Sequence, residues 1–228
     1  MSRVRVAALV AVLIAVVGGL SAVAYYSPLM SVRSVDVAGA VAVTRDDVLG
    51  AARVPSGRPL LQVDTAEIAD RVAELPAVES VDVSRSYPST IAIEVTERTP
   101  VVTVERDEGR IGVMDRLGVV YATFDTEKSL PKEFRRLPRL ETGNPSPRDA
   151  PTAAALSVVR ELPDWLAANV RAVRVDSPAD VTLVLRSGRT AVWGGAERSE
   201  EKAEALRHLL TIKGREYNVS SPEFASVK

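Results

Sequence analysis

Residues 32 to 37, VRSVDV, alternate apolar and polar positions, with Val35 and Val37 on one face and Ser34 and Asp36 on the other. A period of two predicts a half-buried strand, and Gly39 ends it. Thr44 and Asp47 form a capping-box pattern that opens a short helix through Val48 and Leu49. After breaks at Pro55, Gly57 and Pro59, Asp64 with Glu67 opens a second helix. Its Ile68, Val72 and Leu75 share one face, and Pro76 stops it. Alternation returns over 78–84, with Val81 and Val83 inward, and over TIAIEVTER, with Ile91, Ile93 and Val95 inward. A turn across Tyr87–Thr90 joins these two strands as a hairpin. The predicted order is β-α-α-β-β, in which two helices cover one face of a small sheet and make one core from Val35, Ile68, Val72, Val81 and Ile93.

From Pro100 the pattern becomes strand-rich. Short strands are predicted at 101–104, 111–114 and 119–123, followed by a polar loop over GNPSPRDAP, residues 143 to 151. A helix begins at Thr152, with Ala155, Val159 and Leu162 on one face, and Pro163 closes it. Further strands follow at 170–175, 181–186 and 190–193. A second amphipathic helix runs from Arg198 to Lys213, with Ala203, Leu206 and Leu210 inward and Gly214 as its stop. Residues 216 to 221, EYNVSS, form a last short strand with no later element to cover it, and 223–228 read as a polar tail. This region is a second α+β domain, mostly antiparallel.

The opposite pattern, unbroken apolarity, fills residues 6 to 26: 21 residues without a charge. As a helix they span about 31 Å, the thickness of a bilayer's hydrocarbon core. Arg3 and Arg5 precede the run and Arg33 is the first cation after it, so the positive-inside rule puts residues 1–5 in the cytoplasm and the rest outside. The competing reading is a cleaved secretory signal, because Ala22-Val23-Ala24 is an A-x-A pattern after a basic start. The apolar stretch is longer than signals normally carry, which favours an uncleaved anchor.

Composition removes most chemistry. With 29 basic and 30 acidic groups the net charge is -1, which offers no basic excess for nucleic acid. There is no cysteine and one histidine, so disulfides, thiolate catalysis and two-histidine metal sites are excluded. Ser199 and Lys202 match S-x-x-K, but the companion motifs S-D-N and K-T-G are absent, and the four residues read as a solvated first helical turn. Asn218-Val219-Ser220 is a glycosylation-type sequon without further support. His208 and Asp115 stand apart from any nucleophile or base, and Trp193 reads as core packing at a strand end. The expectation is a non-enzyme with no catalytic residues, cofactor or metal.

Several runs carry a family resemblance. V-x-V-x-G at 35–39, the loop into PLLQVD, L-P-x-V-x-x-V-x-V, R-x-Y-P-S-T and I-x-V-x-E-R-x-P resemble a POTRA domain of the FtsQ/DivIB cell-division family. DRLGVVYA, LPRLETG and NVSSP resemble that family's second domain, with Asn218 standing where the family often has Asp. The resemblance implies residues 1–5 as a cytoplasmic tip, 6–26 as a transmembrane helix, 27–98 as a POTRA domain, 99–222 as the β-rich FtsQ/DivIB-type domain and 223–228 as the tail. It also implies a bitopic, single-pass type II scaffold of the divisome at the division septum. FtsB- and FtsL-like bitopic proteins and the septal synthase complex, FtsW with its transpeptidase, are the implied partners, through which septal peptidoglycan synthesis is regulated. The partner-binding strand it implies is Glu216, Tyr217, Asn218, Val219, Ser220 and Ser221, since an uncovered strand accepts a partner strand through its backbone. Two other readings stay open on the residues alone: an exported cell-wall enzyme using Ser199 and Lys202, and a secreted binding protein cut after Ala24.

Overall fold

The computed structural model describes residues 9–19 and 30–228. Residues 9–19 form helix α1, and among the described residues no helix is long and apolar enough to cross a membrane. The remainder of the predicted 6–26 span, with Ala22-Val23-Ala24, lies outside the described residues. The rest of the chain divides into two compact units at the Glu97–Arg98 boundary.

The first unit follows the predicted order: β1 (Ser34–Ala38), α2 (Arg45–Ala52), α3 (Thr65–Ala73), β2 (Val78–Ser86) and β3 (Thr90–Glu97). Strand β3 lies in the centre, parallel to β1 and antiparallel to β2. Both caps form as expected. The Thr44 hydroxyl accepts from the Asp47 N–H, and the Asp64 carboxylate accepts from Ala66 and Glu67. Val48, Leu60, Ile68, Val72, Ile91 and Ile93 are almost fully buried in one core.

The family-like motifs have structural work here. Gly39 has a φ of 80°, and a Cβ on it would run into the Val95 carbonyl, so the V-x-V-x-G glycine cannot take a side chain without displacing β3. Arg85 of R-x-Y-P-S-T donates to the carbonyls of Leu60 (2.9 Å) and Val63 (2.7 Å), fastening the PLLQVD loop to the sheet. Glu97 of E-R-x-P accepts the consecutive N–H groups of Val41, Ala42 and Val43 at 2.7, 2.8 and 2.8 Å. Desolvation pushes its carboxyl up, but those three donors together outweigh it and hold the pKa below the usual carboxylate value.

The second unit is one mixed sheet of nine strands: β4 (Pro100–Glu105), β5 (Ile111–Asp115), β6 (Val120–Phe124), β7 (Arg139–Glu141), β8 (Val170–Ser177), β9 (Asp180–Leu185), β10 (Thr190–Val192), β11 (Glu216–Asn218) and β12 (Ser226–Val227). Across the sheet the order is β12-β11-β10-β9-β8-β7-β4-β5-β6. Three pairings are parallel, β4–β7, β7–β8 and β10–β11, and the other five are antiparallel. Helices α4 (Ala150–Glu161), α5 (Asp164–Ala167) and α6 (Ser199–Leu209) bury Leu156, Val158, Leu166 and Leu206 against Val102, Val173, Leu183 and Trp193. On the other sheet face, Ile111 and Val113 pack under Leu130, Phe134 and Leu137 of the 125–138 segment.

Four expectations need correction in this unit, the first being the helix expected over 198–213, which spans only Ser199–Leu209. Helix α4 starts at Ala150 rather than Thr152, because Asp149 caps it by accepting from the Thr152 N–H. The strand expected over 216–221 ends at Asn218, whose side-chain oxygen accepts the Ser220 N–H and hydroxyl and turns the chain. Residues 223–228 are not a tail: a 3-10 turn at Pro222–Phe224 leads into β12, which covers β11.

Candidate partner-binding edge

Strand β11 is laid against β10 in parallel, and the Val219 N–H continues the ladder by donating to the Val192 carbonyl at 2.9 Å. Tyr217 and Val219 are fully buried. The Tyr217 hydroxyl lies 2.9 Å from the Ile212 carbonyl and 3.1 Å from that of Gly214, which ties the strand to the chain leaving α6. The Arg189 guanidinium lies 5.6 Å from the centre of the Tyr217 ring. Two of the six expected site residues are therefore core anchors, and a partner reaches them only through what covers them.

That cover is β12. Lys228 exchanges both backbone hydrogen bonds with Glu216, donating at 2.9 Å and accepting at 3.2 Å. In an antiparallel pair, such hydrogen-bonded positions alternate with ones whose N–H and C=O point away from the partner. Tyr217 and Val227 are opposite each other at the intervening position. The Val227 N–H and C=O consequently face the outer edge of the nine-stranded sheet.

The segment before β12 is fastened by charge. Arg198, in a left-handed conformation before α6, reaches Glu201 at 2.5 Å and Glu223 at 2.6 Å. Its hydrogen bonds hold both carboxyls below the usual range. Phe224, in the same turn, is 85% exposed, an apolar ring left in solvent beside the edge. Neither Phe224 nor β12 was expected from the sequence. The signal for them is thin: a lone aromatic after Pro222, then an Ala-Ser-Val-Lys alternation too short to read alone.

The residues of the enzyme reading are otherwise engaged. The Ser199 hydroxyl donates to the Ala196 carbonyl at 2.6 Å and the Lys202 ammonium to that of Gly195 at 2.8 Å. Burial pulls the Lys202 pKa down, but its donor is directed at the loop rather than at the serine. Asp115, wholly buried, binds the Arg98 guanidinium and accepts from the N–H groups of Leu117 and Val119, so it shapes the D-R-L-G turn. His208 is exposed beside Glu204, and Trp193 is buried in the core. Among the described residues no cluster of His, Asp and Glu could hold a metal ion.

Comparison with known proteins gives this edge a family. Residues 30–98 match the model of the FtsQ-type POTRA domain, and residues 102–227 match that of the cell division protein FtsQ/DivIB C-terminal domain. The chain belongs to the FtsQ/DivIB cell-division family. It is 44% identical over 223 residues to the cell division protein FtsQ of Mycobacterium tuberculosis, covering 97% of this chain and 68% of that one. To FtsQ of Mycobacteroides abscessus it is 44% identical over 221 residues, covering 96% and 69%. To FtsQ of Streptomyces venezuelae it is 41% identical over 218 residues, covering 92% and 79%. The family supports a role in the divisome, and the match to the C-terminal model runs through both β11 and β12.

Proposed function

We propose that the protein is a non-enzymatic, single-pass type II scaffold of the division septum that binds FtsB- and FtsL-like bitopic partners and through them helps regulate septal peptidoglycan synthesis by FtsW and its transpeptidase. The anchor in this reading is residues 6–26, supported by their lack of charge and by Arg3 and Arg5 before them. The partner site is residues 216–221 together with the β12 edge that covers them. The observation that carries the reading is that edge: a short strand on a buried footing, its outward N–H and C=O at Val227 unpaired among the described residues, with Phe224 exposed in the turn before it. Such an edge takes a partner strand by backbone pairing, and the apolar ring offers it an anchor. The engagement of Ser199 and Lys202 by backbone carbonyls weighs against the enzyme reading.

Proline at 227 removes the outward N–H while leaving the Lys228–Glu216 bonds in place. With the full chain in detergent and folding checked by circular dichroism, Val227→Pro is expected to weaken binding of an FtsB-like partner about tenfold, the scale of one or two backbone hydrogen bonds. Asn218→Ala, whose side chain serves its own turn, is expected to change it far less. Unchanged affinity in folded Val227→Pro protein would place the site elsewhere. Val219→Pro does not test the edge, because it removes the Val192 hydrogen bond and a core side chain.

A further inference from the structure

On the sheet face away from the helices, a cleft of about 230 Å³ lies between strands β4, β7 and β8 and the 125–138 segment. Its lining includes Arg135, Arg139, Arg171 and Arg186 against two carboxylates, Glu127 and Glu141. In a chain of net charge -1 this excess is local, not background.

The strand register places Arg139 in this cleft. Thr103 pairs with Arg139 and Arg139 with Ala172, so these positions share one face while Leu140 and Val173 turn to the helices. Two of the arginines are held in place by carbonyls. Arg135 donates to Leu130 (2.8 Å) and Lys128 (3.0 Å), and Arg186 donates to Ala168 (3.1 Å) and Arg136 (2.8 Å). Carbonyls orient these cations without neutralising them. The carboxylates compensate poorly. Glu141 is taken by Arg174 at 3.0 Å, while Arg139 stands 3.6 Å from Glu105 and 3.9 Å from Glu127, both well exposed. Arg171 has no side-chain partner among the described residues.

Four guanidinium groups facing fewer and more distant carboxylates repel one another, and they present the forked donors that suit phosphate oxygens. The cleft is smaller than a drug-sized pocket, which limits what enters to a small group. We infer that this cleft is a binding site for a small dianion of the phosphate-ester or diphosphate class, gripped by Arg139 and Arg171 between the fixed Arg135 and Arg186. Nothing in this inference depends on the partner edge, since the ligand and the strands that hold it are different.

Isothermal titration of the full chain in detergent tests it with two probes: inorganic pyrophosphate, and short-chain phosphatidic acid in mixed micelles. Saturable binding is expected for at least one. Arg171→Gln and Arg139→Gln should each weaken it about tenfold or more, the range of a lost charged hydrogen bond. Arg33→Ala, an exposed arginine of the other unit, should leave it unchanged. Loss confined to the pyrophosphate arm identifies a soluble phosphate as the source, and loss confined to the phosphatidic acid arm a lipid headgroup. No saturable binding by either probe, binding indifferent to both cleft variants, or an equal loss from Arg33→Ala would overturn the site.

Discussion

Ile93→Asp is expected to unfold the first unit. Ile93 is 1% exposed on the central strand, opposite Val37 on one side and Val83 on the other. An aspartate there buries a carboxyl with no partner, at a cost of about 4 kcal/mol or more. A small domain has a total stability of about 5–15 kcal/mol, so the loss is a large share of it. Thermal unfolding of the full chain by circular dichroism should lose the transition of this unit, and the protein should no longer gather at midcell. Thr96→Asp, at an exposed position on the same strand, should melt like the parent. An unaltered melt for Ile93→Asp would mean that β3 is displaced by one residue, since such a slip turns every side chain to the other face.

Asp115→Ala should destabilise the second unit by about 3–5 kcal/mol, the cost of removing one partner from a buried ion pair. The mutation removes the carboxylate paired with the Arg98 guanidinium, which is only 17% exposed, and takes the side-chain acceptor from the N–H groups of Leu117 and Val119. Asp115→Asn keeps an oxygen for those amides but not the charge, so it should fall between the two. Denaturant midpoints measure the series. A midpoint for Asp115→Ala equal to the parent's would show that the pair adds nothing and that the D-R-L-G turn stands without it.

These two sites differ in how far the sequence disclosed them. Ile93 was legible because β3 alternates over eight residues and both helices before it carry local capping signals at Thr44 and Asp64. Val35 was expected in the core and is only half-buried, because β1 lies at the sheet's edge, a matter of strand order that alternation does not encode. Asp115 read as an isolated charge, since its partner Arg98 becomes visible only when β4 and β5 pair. Strands β7 and β12 have three and two residues, too few to establish a period, and exist because longer neighbours pair with them. The same limit hid the edge. The sequence reads a strand over 216–221 of which only Glu216–Asn218 forms, and the return of Ser226–Val227 across it is a nonlocal pairing. The arginine cleft was invisible for a related reason: its four cations come from three separate stretches of the chain.

Backbone amide exchange, read along the full chain with and without an FtsB-like partner, tests the docking edge most directly. Without partner, the outward Val227 amide should exchange quickly while Val219, bonded to Val192, stays protected. With partner, protection should appear at Val227 and the opposite edge of the sheet, Val120–Phe124, should be unchanged. Protection appearing along Val120–Phe124 or in the first unit, with residues 226–228 unaltered in a bound complex, would contradict the account.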